Sequence, residues 1–148
     1  MQNIYYTARQ ALSGQFNYRQ FWQRVAQKNE IVLAKAYAID RGDAQQQKFQ
    51  SALKHIGFDV KLKPFIQRAD GSAKGDWDVG ITIDVLSAAP NVDEIILLSV
   101  DGDFAILLDT ITARYAVRTT VYGVSALTAQ GLVNSATAFI EIDQSWTL

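Results

Sequence analysis

Apolar residues recur along this chain with two periods, and the alternation of those periods predicts its elements. Tyr18, Phe21, Trp22 and Val25 stand at i, i+3, i+4 and i+7, the spacing of one helix face, and predict a helix over residues 18–28. Asn17 can cap it, with Gln20 as the capping-box partner. Residues 1–12 are read as an earlier helix, broken from this one at Gly14. Residues 31–39 are strand-like. Asp43 then caps a second helix whose face is Phe49, Ala52, Leu53 and Ile56 and which ends at Gly57. Residues 58–62 alternate strictly, with Phe58, Val60 and Leu62 against Asp59 and Lys61, predicting a half-buried strand at a sheet edge that Pro64 stops. Residues 67–74 read as a loop and 76–89 as a helix ended by Pro90. The unbroken apolar run over 94–100 predicts a central parallel strand. A helix over 103–115, a strand over 117–122 closed by Gly123, a short helix over about 125–134 and a last strand over 138–142 follow. Strands alternating with helices imply a three-layer α/β/α sandwich on a mostly parallel sheet with right-handed crossovers.

Length and composition narrow the function classes. A chain of 148 residues that is 49% hydrophobic supplies one domain with an ample core. Its net charge of −1 excludes a general field for polyanions, so any nucleic-acid contact must come from a local patch. The absence of cysteine excludes disulfides and thiolate metal sites and fits a reducing cytoplasm. No apolar run reaches the length of a membrane helix, and residues 1–6 are too polar for a signal peptide.

Two stretches carry candidate chemistry. The first, Ser99-Val100-Asp101-Gly102-Asp103-Phe104, follows the most strand-like segment and opens a helix. Sites in parallel sheets form at the C-terminal ends of strands, and paired carboxylates there suit Mg²⁺ or Mn²⁺. Gly102 would permit the tight turn between them. The competing reading makes Asp103 a helix cap and Asp101 an ordinary loop acid. A helix-loop-helix calcium site is a poor fit, because Phe104, Ile106 and Leu107 fall where later ligands belong. The second stretch runs from Lys74 to Asp84. Asp76 and Asp78 open a helix, where the dipole favours carboxylates in any case. Thr82 is one turn below Asp78 and can support it. Asp84 is roughly 120° away around an ideal helix. Arg68 and Lys74, with Lys61 and Lys63, are the cations best placed in sequence to meet phosphates, ordinary solvation being the alternative. His55, the one histidine, reads as a solvated helix residue, and Trp22 and Trp77 as core or rim aromatics.

Taken in order, these stretches resemble the NYN-domain family, the branch of PIN-like nucleases that includes LabA-like proteins. The resemblance spans nearly the whole chain. Its pattern is carried by Lys74, Gly75, Asp78, Val79, Ile83 and Asp84, then by Ser99, Asp101, Gly102, Asp103 and Phe104, with a looser match over 136–140. It implies a parallel sheet ordered 3-2-1-4-5 and a divalent-metal ribonuclease. Asp78, Asp101 and Asp103 would ligate Mg²⁺ or Mn²⁺, with Asp84 a supporting acid and Asn3 and Ser99 polar partners at the rim. It equally implies, as the alternative, a non-catalytic module binding RNA or a protein partner, including a second copy of itself. A phosphatase-like domain is disfavoured, because no aspartate ends a first strand. Val100 replaces the family's Gly, and Thr137 stands where many relatives have Asp. The family's first Asp would precede Asn3 by three positions, beyond Met1. The expectation is therefore that the domain is N-terminally incomplete, lacking a first strand that ends in that Asp. The strand at 95–98 is then expected to face a gap or a substitute pairing.

Overall fold

The computed structural model describes residues 15–40, 42–64, 66–67, 73–74 and 77–148. Expectations resting on residues 1–14, the N-terminal helix and Asn3 among them, lie outside the described residues. The chain divides into two units, one built on residues 18–77 and one on 3–17 with 78–148.

In the first unit, α1 (Tyr18–Lys28) has the predicted bounds and buries Tyr18, Phe21 and Val25. β1 (Lys35–Asp40), α2 (Ala44–Ile56) and β2 (Asp59–Pro64) form a strand-helix-strand unit with parallel pairing from Lys35↔Asp59 to Asp40↔Pro64. The Asp43 carboxylate accepts the Gln46 N–H at 2.6 Å, so the predicted cap forms. β1 starts four residues later than the apolar run at 31–39. Pairing begins where the Asp59 N–H reaches the Ala34 carbonyl, and Val32 and Leu33, upstream of it, are exposed. The segment read as a loop is a short antiparallel hairpin, β3 (Ile66–Gln67) against β4 (Ala73–Lys74). Its composition, rich in Gly, Asp and Ser, reads as loop and carries no signal of the paired ends. Trp77 closes the unit, its indole donating to the Ala38 carbonyl at 2.9 Å and its ring 5.4 Å from that of Tyr37.

The second unit is built on three parallel strands, β5 (Glu94–Leu98), β6 (Arg118–Gly123) and β7 (Ala138–Glu141), in that order. Among the described residues β5 pairs on one side only, with β6. α3 (Asp78–Ala88), α4 (Ala105–Tyr115) and α5 (Gln130–Ser135) pack with the sheet. Leu97, Leu107, Leu108, Ile111, Val121 and Leu132 make the core, with Ile81, Val85 and Leu86 of α3 against it. β1 and β2 are neighbours in the first unit, and β5, β6 and β7 are neighbours in that order in the second. The chain end is tied back: Phe16 bridges Thr147 and stacks on Trp146.

Helix bounds differ from expectation for local reasons. α3 runs on into a 3₁₀ turn at Ala89–Asn91 that accommodates Pro90. α4 is preceded by a 3₁₀ turn at Gly102–Phe104. The predicted helix at 125–134 is a turn followed by the short α5. The Val124 carbonyl accepts from both Leu127 and Thr128, and Ala129 is extended (φ −61°, ψ 132°) before the helix starts. Among the described residues no helix is long and apolar enough to cross a membrane.

Two helix ends test the backbone with opposite signs. Gly57 ends α2 at φ 137°, and a Cβ there would lie 2.8 Å from the Trp22 ring. Ala116 ends α4 in the left-handed region at φ 53°. Gly57→Ala is expected to destabilise the protein by about 2 kcal/mol or more, whereas Ala116→Gly is expected to leave stability unchanged or raise it by up to about 1 kcal/mol. Urea denaturation midpoints read both; a neutral Gly57→Ala would contradict this geometry.

Candidate metal centre

The chain leaves β5 at Leu98 and turns immediately. Ser99 is buried, and its hydroxyl accepts the Asp101 N–H at 3.1 Å. Asp101 is extended, and its Oδ1 accepts the Asp103 N–H at 2.9 Å, capping the 3₁₀ turn. Phe104 then plugs the core at 3% exposure, and its N–H bonds the Asp101 carbonyl. The capping reading and the ligand reading therefore coexist, with the roles distributed differently from the sequence expectation. Asp101, not Asp103, is the cap, and a carboxylate that caps with one oxygen still offers another. Asp103, free of capping, is exposed.

This turn rests on the connection from β6 to α5. The Ala129 N–H donates to the Val100 carbonyl at 3.1 Å. A Cβ on Gly102 would lie 2.9 Å from the Ala129 Cβ, and one on Gly123 would lie 2.5 Å from the Thr128 Oγ1 and 3.3 Å from the Ser99 carbonyl. Gly102 thus matters for close approach: its φ lies outside the left-handed region, so the turn itself does not demand glycine. Val100 takes part in this contact through its carbonyl.

Asp78 enters from the other motif as the first residue of α3, where the helix dipole stabilises its charge. Ile81, Val85 and Leu86 pack against the core and so set the helix's rotation. The Thr82 hydroxyl donates to the Asp78 carbonyl at 2.7 Å, supporting the backbone of the first turn. One oxygen from each of Asp78, Asp101 and Asp103 lies within 4.8 Å of the other two; the first two residues are half-buried and Asp103 is exposed.

The donor set fits a hard divalent cation. Oxygens bound to one ion at about 2.1 Å lie at most roughly 4.2 Å apart, so shifts of under an ångström would bring these three onto Mg²⁺ or Mn²⁺. Three carboxylates with neither thiolate nor imidazole favour those ions over zinc or copper.

The remaining sequence candidates divide by position. Asp84 is half-buried on α3 and is not one of the three grouped acids. Ser99 is beneath the turn and not at a rim. Thr137 immediately precedes β7 and exchanges hydrogen bonds with Thr119 at 3.0 and 3.1 Å. Thr119 is level with Ile95, so that pair marks the N-terminal end of the sheet, opposite the acidic turn. A threonine there costs the acidic turn no ligand. Asn3, Arg68 and the Lys74 side chain lie outside the described residues. Sequence reasoning missed Ala129, Thr128 and the packing role of Gly102, because these contacts join segments far apart in the chain and leave no periodic signal.

The chain is similar to known proteins over almost its full length. It is 30% identical to the low amplitude and bright protein LabA of Synechococcus elongatus, over 95% of this chain and 79% of that protein. It is 52% identical to a Vibrio parahaemolyticus protein of unknown function whose crystal structure superposes with a TM-score of 0.93, covering 99% of this chain and 91% of the other. The NYN domain profile matches residues 1–143. With the α/β fold and parallel ladders in place, the chain belongs to the NYN domain family, a nuclease-like family.

Proposed function

We propose that this protein is a ribonuclease that hydrolyses RNA phosphodiesters with Mg²⁺ or Mn²⁺ held by Asp78, Asp101 and Asp103. The observation that carries the reading is the meeting of three carboxylates from two distant motifs within 4.8 Å. Clustered like charges are costly, and a bound cation gives the cost a purpose. A divalent ion there would lower the pKa of a bound water and offset the charge of the scissile phosphate. The residues of the chain do the placing. Ser99 and Ala129 set the path of the turn, so that Asp101 and Asp103 present their oxygens on one side. Asp101 caps with Oδ1, and its other oxygen would be the one to hold the ion. The exposed carboxylate of Asp103 is the one that an approaching strand of RNA meets first, and its side of the site stays open to substrate.

Isosteric replacement separates this role from a structural one. Asp78→Asn and Asp103→Asn are each expected to reduce Mn²⁺-dependent RNA cleavage by about 100-fold or more. Without metal the same variants should melt at or above the wild-type temperature, because a repulsion has been removed, and added Mn²⁺ should no longer raise their melting temperature. Unchanged cleavage, or RNA binding with no metal-dependent cleavage by the wild type, would replace the enzyme with a binding module.

The close approach under the turn supplies a second test. Gly102→Ala is expected to weaken Mn²⁺ binding by roughly tenfold, because the new methyl meets Ala129 and displaces the turn. Adding Ala129→Gly moves that methyl across the contact and should recover most of the affinity. Additive losses in calorimetric titrations of the double variant would show that the contact does not position the acids.

A further inference from the structure

Charge is unevenly divided along the chain. Residues 1–77 hold 12 of the 14 lysines and arginines but 6 of the 15 acidic residues, and residues 78–148 hold the other 2 and 9. By unit, the one built on residues 18–77 holds 11 of the cations and the same 6 acids, and the one on 3–17 with 78–148 holds 3 and 9. A net charge of −1 therefore conceals a cationic unit and an anionic one, an asymmetry typical of nucleic-acid contact.

Within the cationic unit the helices hold the excess. α1 and α2 carry Arg19, Arg24, Lys28, Lys48 and Lys54, and neither contains Asp or Glu. Helix surfaces whose cations serve solubility commonly alternate them with carboxylates one turn away. Here the exposed partners are amides, Gln23, Gln27, Gln45 and Gln47, beside exposed Arg19, Lys28, Lys48 and Lys54. The acids of the described part stand off the helices: Glu30 follows α1, Asp40 and Asp59 lie on strands, and Asp43 is occupied as a cap. Tyr18 meets Phe49 with ring centroids 5.5 Å apart, and Trp22 meets Phe58 at 5.1 Å while its indole covers Gly57. These contacts hold the two helices side by side. Arg19 follows Tyr18 in α1 and Lys48 precedes Phe49 in α2, and both cations are exposed.

We infer that the α1–α2 pair is a docking surface for the phosphate backbone of single-stranded RNA. Lysine and arginine donate to phosphate oxygens, and contacts of that kind hold a strand without reading its bases. The need for it follows from the other unit: an anionic unit repels the phosphates flanking the one it cleaves, and a cationic surface elsewhere retains the strand. The inference rests on the proposed reading for its choice of RNA, but binding at these helices requires no metal.

The test is a set of binding isotherms of the full chain with an unstructured RNA oligonucleotide in EDTA across a salt series. Each phosphate contact contributes a slope of about −0.7 in log affinity against log salt for single strands. Arg19→Gln/Lys48→Gln/Lys54→Gln is expected to flatten the slope by about two and to weaken binding by roughly tenfold or more at low salt. The charge-preserving set Arg19→Lys/Lys48→Arg/Lys54→Arg should keep the wild-type slope, which separates lost charge from lost fold. Wild-type binding by the glutamine variant throughout the series would overturn the inference. So would polyglutamate binding as tightly as RNA with the same slope, which would make the surface a site for acidic protein. Because chemistry is absent in EDTA, these outcomes are independent of whether the aspartate variants cleave.

Discussion

Three carboxylates held within 4.8 Å of one another repel, and the surrounding structure must be stiffer than that repulsion. Two unit charges 4 Å apart cost about 1 kcal/mol in water and about 4 kcal/mol at an effective dielectric of 20. Partial burial of Asp78 and Asp101 moves their pair away from the cheaper limit. The scaffold meets this demand by fixing backbone on both sides of the site. α3 is locked by its apolar face on the core. The turn after β5 is held by the Ser99 hydroxyl, by its own Asp101 cap and by the Ala129 N–H.

That arrangement connects local sequence to function through very few atoms. Glycine at 102 and 123 admits the β6–α5 connection close enough for the Ala129 N–H to reach the Val100 carbonyl. A single methyl at either glycine acts on the acids through the backbone, with no change in their chemistry. The same economy appears in the chain's charge. On the proposed reading, the acids collected in residues 78–148 would hold a cation, and the lysine and arginine collected in residues 1–77 would offset the resulting repulsion of a polyanion.

Much of this was legible before the structure, and the parts that were not share a cause. α1 and α2 follow from periodicity and caps that lie within a few residues of each other, and Asp43 caps as read. β5 follows from an unbroken apolar run. The order of the two acidic motifs pointed to three carboxylates that the fold brings within 4.8 Å of one another, although each motif alone admitted a capping explanation. What was illegible depends on partners distant in sequence. Residues 31–34 are as apolar as a strand, yet β2 begins too late to pair with them. The pairing of residues 66–67 with 73–74 falls in a segment whose composition reads as loop. Gly102 looked like a turn glycine, and its reason is the Ala129 methyl group. Thr137 looked like a lost acid, and it is a strand-to-strand clasp with Thr119 at the far end of the sheet. The division of charge was legible throughout, but a net charge averaged over the chain conceals it.

The central claim is that the acidic turn and the first residue of α3 exist to bind one kind of ion in one place. Anomalous diffraction from crystals soaked in Mn²⁺, recorded at a wavelength where manganese scatters, addresses it directly. The account expects a peak among the carboxylates of Asp78, Asp101 and Asp103, with oxygens from all three at about 2.2 Å, and its loss in crystals of Asp101→Asn. A fully soaked crystal with manganese at other carboxylates and none among these three would contradict it.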